Sequence, residues 1–78
     1  MTQQEAINTV TSQRRQLQIG AGMEVVSAEK AIVEYTKDRN QPGCVENRVA
    51  WIVTLGSSRG LVEVRVADES GEVLEVIR

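Results

Sequence analysis

Apolar residues along this chain recur first at a helical period and then at a strand period. Thr2 and Glu5 form a T-x-x-E capping box, the signature of a helix start. Ala6, Ile7, Val10 and Leu17 follow at roughly helical spacing and predict a helix over 3–16. Gln16 to Ile19 alternates polar and apolar, so a short strand competes there. Gly20-Ala21-Gly22 breaks the pattern, and Met23 to Val26 reads as an extended lead-in. Ser27 then suits an N-cap, with Glu29 in the first turn. Ala28, Ala31, Ile32 and Tyr35 fall at i, i+3, i+4 and i+7, and Lys37 and Arg39 suit the last turn. These features predict an amphipathic helix over 28–39, stopped by Asn40-Gln41-Pro42-Gly43.

Beyond Pro42 the period is 2. Val49, Trp51, Val53 and Leu55 alternate with Arg48, Ala50, Ile52 and Thr54, predicting a strand. Gly56-Ser57-Ser58-Arg59-Gly60 reads as a turn. Val62, Val64 and Val66 give a second strand, and Asp68-Glu69-Ser70-Gly71 fits a type I turn. Glu72 to Arg78 is a third strand, with Leu74 and Val76 assigned to its buried face. The expected fold is α+β: an amphipathic helix packed on a three-stranded antiparallel β-meander, with an additional N-terminal helix. Residues 1–22 would be a helical arm and 23–78 an αβββ domain. Trp51, in phase with Val49, Val53 and Leu55, is expected in the core.

Composition narrows the function classes. A chain of 78 residues with 41% apolar content is one domain with a thin core. Val and Ile dominate, with no Phe, which favours sheet. The net charge of −2 is spread in short alternations. No basic stripe or stacking aromatic pair suggests nucleic acid. The longest apolar run, Val49 to Val53, falls far short of the ~20 residues of a membrane span, and no segment resembles a signal peptide.

Residues 24–78 resemble the PepSY domain. The likeness rests on Val26-Ser27-Ala28-Glu29-Lys30-Ala31-Ile32 as a helix start and Ala50-Trp51-Ile52-Val53 opening a strand. Its most specific part is the hairpin Ala67-Asp68-Glu69-Ser70-Gly71-Glu72-Val73-Leu74. The resemblance implies a protein-binding module of the kind found in protease propeptides and envelope proteins, with no shared catalytic residues. It implies an extracytoplasmic location if a signal was removed; otherwise the expectation is cytoplasmic.

The residues offer no catalytic set. With no histidine, Ser-His-Asp and Cys-His systems are excluded. Cys44 is single and has no base; it reads as a small residue at a loop-to-strand junction, or alternatively as a reactive thiol. Asp68, Glu69 and Glu72 crowd one turn without a calcium-loop pattern. The glycines at 56 and 60 resemble a phosphate cradle, but no Lys-Ser/Thr or helix follows. No enzyme, cofactor or metal is expected.

The expected partner is a protein or a second copy of the chain. Ile52, Thr54, Leu61, Glu63, Arg65, Val73 and Ile77 are assigned to the outer sheet face as partner-binding residues. Strand 48–55 is the favoured docking edge. In the alternative, a homo-oligomer or larger assembly docks through the N-terminal arm. A small-ligand carrier between helix and sheet is a weaker third reading.

Overall fold

The computed structural model describes residues 1–20, 22–36, 40, 43 and 45–78. The Thr2–Glu5 capping box forms as its spacing requires. Thr2 Oγ1 accepts from the Glu5 backbone N–H, and Glu5 accepts from the Thr2 backbone N–H at 2.9 Å. The helix that follows, α1 (Gln3–Ser12), stops short of the expected end at 16. Its second half is rich in hydroxyls that bond back to the helix: Thr9 donates to the Glu5 carbonyl, Thr11 to Asn8 and Ser12 to Thr9. Such bonds compete with helix continuation. Residues 13–18 form turns instead, so neither helix nor strand forms at Gln16 to Ile19. Ile19 still reaches the core, and Leu17 packs against it.

Four strands follow: β1 (Glu24–Thr36), β2 (Val45–Ser57), β3 (Gly60–Ala67) and β4 (Val73–Ile77). They form one antiparallel sheet in the order β1-β2-β3-β4. The meander is therefore four-stranded, and the helix expected over 28–39 is corrected. Residues 28–36 are strand, and Lys37, Asp38 and Arg39 lie outside the described residues. The helical spacing there coexists with Val25, Val26, Ile32, Val33 and Thr36, whose branched side chains favour a pleated strand. Pairing with β2 from Glu24↔Gly56 to Thr36↔Val45 decides the outcome.

This places a new strand at the sheet edge. β2 pairs with β1 on one side and β3 on the other. The expected docking edge at 48–55 is thus interior, and Ile52→Pro would damage the fold rather than test docking.

The core lies between α1 and one sheet face. Ala6 and Val10 meet Ala28, Val53, Leu55, Val62, Val64 and Val66, with Trp51, Val73 and Val76 packed around them. The helix is thus part of the core rather than a separate arm. In β4 Val76 packs on the core as expected, and the assignment of Leu74 to the buried face is corrected. A register shift between Arg65 and Val66 inserts an extra residue. Val73 then opposes Val66 and Val76 opposes Val64, both toward the core, while Leu74 stays outside the core cluster. A bulge lets one strand change phase without turning over.

The β2–β3 and β3–β4 turns both use glycine. In the two-residue β2–β3 connection neither Ser58 nor Arg59 has positive φ, and Gly60 at 144° absorbs the reversal. In the loop 68–71, Gly71 takes φ 72° and donates to the Ala67 carbonyl at 2.9 Å. The expected Asp68–Gly71 turn is one residue wider at each end, closing on Ala67 and Glu72. No helix among the described residues is long and apolar enough to cross a membrane.

Leu55 is completely buried at the centre of this interface. Leu55→Ala is expected to cost about 3 kcal/mol and Thr2→Ala about 1 kcal/mol, read from urea denaturation midpoints. Equal midpoints for Leu55→Ala and wild type would contradict this packing.

Candidate interaction surface

Alternation along β2 sends Val53 and Leu55 to the helix and Ile52, Thr54 and Gly56 to the opposite face. Cross-strand register then collects the residues of that outer face. Ile52 opposes Arg65, Thr54 opposes Glu63, and Glu63 opposes Ile77. Arg65 also opposes Glu75 and pairs with it, Nη1 to Oε2, at 3.6 Å. Ile52, Thr54, Glu63, Arg65 and Ile77 thus share one face, as their phases require. Val73 does not belong with them, because the β4 bulge turns it to the core.

Leu61 opposes Gly56 and is 65% exposed. Val26, also 65% exposed, comes to the same place from β1. A Cβ added at Gly56 would lie 2.9 Å from Leu61 Cδ2 and 3.0 Å from Val26 Cγ2. Gly56 is therefore the gap across which the two side chains approach. Val26 owes its position to a register shift between Val25 and Ser27. Sequence reasoning missed Val26, and the Val25-Val26 pair of branched residues was the available signal. At the other end of this face, Ala31, Ala50 and Ala67 stand in one row. Arg48 lies over the Tyr35 ring at 5.9 Å and stands opposite the buried Val33.

On the helix-covered face, Trp51 sits half-buried at the margin of the core. Its indole N–H donates to Asp68 Oδ1 at 2.8 Å. Lys30 lies 3.6 Å from the other oxygen, and the Met1 ammonium 3.6 Å from the first. The Trp51 hydrogen bond, helped by these cations, holds the Asp68 carboxyl below its ordinary pKa. Asp68 thus ties β2 to the turn before β4, and its oxygens are engaged. Glu5 is likewise held low, by the Thr2 backbone N–H and hydroxyl of the capping box. Among the described residues no group of acids or thiols is arranged to hold a metal ion. Cys44 lies outside the described residues.

An open cleft of about 560 Å³ lies between the Gly20–Met23 connection and the turn around Arg59. Arg14 braces that connection by donating to the Met23 carbonyl at 2.8 Å and the Gly20 carbonyl at 3.3 Å. The segment 56–60 is a hairpin turn, with the Arg59 N–H donating to Ser57 Oγ at 3.1 Å. At the far end, Arg78 donates to the Leu17 and Gln18 carbonyls and fastens β4 to the turns after α1.

No family model, curated protein or solved structure matches this chain. The surface must therefore be judged on its own geometry.

Asp68 supplies a pH test. Its folded pKa is below its unfolded one, so its stabilisation is present above the ordinary carboxylate range. That stabilisation is lost as pH falls through the folded value. Trp51, the single tryptophan, reports the bond directly. Its emission is expected to shift with a midpoint below the ordinary Asp value of about 3.9. Asp68→Asn is expected to remove the step. A step surviving in Asp68→Asn would assign it to another group.

Proposed function

We propose that this chain is a non-catalytic protein-binding module, inhibitory or adaptor-like, that docks its partner on the outer face of the sheet. The observation that carries this reading is the exposed apolar pair Val26–Leu61 across Gly56. Folding leaves both side chains in water, and among the described residues no helix or further strand lies over them. Paired exposed apolar groups beside charged ones are the usual makings of a docking site. Ile52 and Ile77 extend the apolar surface, while Glu63 and the Arg65–Glu75 pair supply polar contacts around it. The likeness of the hairpin 67–74 to PepSY domains points the same way, although the segment proposed as that family's helix start is strand here.

The absence of histidine supports the non-catalytic reading. The residues assigned to the face are suited to contact rather than chemistry. Leu61→Glu changes an exposed position and should alter stability by less than about 0.5 kcal/mol. It is expected to reduce capture of the partner from the native source by at least about tenfold, with an unchanged melting temperature. Equal capture by Leu61→Glu and wild type would remove this face from consideration.

A further inference from the structure

The edge strand β1 carries a second surface, made of different residues. Ile32 is the most exposed large apolar side chain described, at 74%. It lies beside the exposed Val49, its β2 partner, beyond the reach of α1. The ladder fixes which backbone groups of β1 face outward. The Val49 carbonyl accepts from the Asp68 N–H on the β3 side. Alternation then turns Ala50 toward β1, and Val53 away from it. Ala28, opposite Val53, must therefore point its own backbone groups outward. Its carbonyl does so, accepting from Gln3 Nε2 at 2.8 Å. By the same alternation, Lys30, Ile32 and Glu34 present their N–H and C=O groups to the open edge.

We infer that this edge pairs with the β1 edge of a second copy, antiparallel about a two-fold axis at Ile32. That register sets Ile32 against Ile32 of the second copy, and Lys30 against Glu34 in both directions. The side chains of Lys30, Ile32 and Glu34 share one face. The new contact thus joins Val49, Ile32, Ile32 and Val49 in one apolar row, flanked by opposite charges. On the other face Ala31 meets Val33. Shifting the axis by one residue toward Ala31 sets Lys30 against Ile32. Shifting it toward Val33 sets Glu34 against Ile32. Both leave a charge facing an apolar group, and only the Ile32-centred register matches like with like and charge with countercharge. Gln3 and the register shift near Val26 limit the ladder at its other end. Lys30 now lies near Asp68, but it is half exposed and within reach of both acids.

This pairing leaves the outer face open, so two docking faces would lie in one continuous sheet. Its test is a charge-swap mixture. Lys30→Glu and Glu34→Lys each set like charges opposite one another in a homodimer. Mixed together, every cross-axis pair is again complementary. Sedimentation velocity is expected to show a wild-type dimer, a dimer constant weakened at least about tenfold in each variant alone, and its recovery in the equimolar mixture. Circular dichroism on each variant verifies the fold. A monomeric wild type overturns the inference. So does a dimer indifferent to both substitutions, and so does a monomer whose edge takes up a strand from another protein. Leu61→Glu is expected to leave the dimer intact, so the two surfaces fail separately.

Discussion

One short helix must cover the core of the whole domain. α1 has ten residues and is about 15 Å long, while the molecule extends 37 Å along its longest axis. Ala6 and Val10 close the interface over Val53, Leu55, Val62, Val64 and Val66, and among the described residues no further helix or strand lies beyond them. The consequences radiate from that contact. Val26 and Leu61 stay exposed on the opposite sheet face, Ile32, Val45 and Val49 stay exposed in the far half of the β1–β2 hairpin, and Gln3 reaches the β1 edge at Ala28. Exposed apolar groups in this protein sit where the helix does not reach.

Around that core, polar groups act as fasteners. The capping box fixes where α1 begins. Arg14, inside the connection between α1 and β1, and Arg78, just past β4, both bind carbonyls of that connection. Asp68 joins the margin of the core to the β3–β4 turn through Trp51. A domain this small buries too little surface to tolerate slack connections. Each fastener removes freedom from a segment that apolar contact alone leaves loose.

The legible parts of the fold were those with local determinants. The Thr2–Glu5 box, the glycine turns and the alternation of β2 and β3 each declare themselves within a few residues. The errors arose where the decisive partner was remote. Nothing local shows that Leu74 is an extra residue, because the bulge is defined against Arg65 and Val66 on β3. Val49 has the same phase as Val53, yet it is exposed because the helix ends before it. Ile52, Thr54, Leu61, Glu63, Arg65 and Ile77 were grouped correctly on one face because alternation alone determines that. Val73 was misplaced because alternation is broken there.

The segment 28–36 shows why its two readings diverge so far. In a helix, Lys30 and Glu34 would be neighbours one turn apart and would satisfy one another. In β1 they lie about 13 Å apart on one face and cannot meet. Ile32, which would have joined a buried helical stripe, stands between them in water. An edge strand with charges of one sign would repel a copy of itself, and a wholly apolar one would pair in any register. On the face of β1 that carries Ile32 there is one charge of each sign, Lys30 and Glu34, placed symmetrically about that apolar residue. The strand assignment separates Lys30 from Glu34, and the Ile32-centred two-fold brings each to the other's counterpart in the second copy.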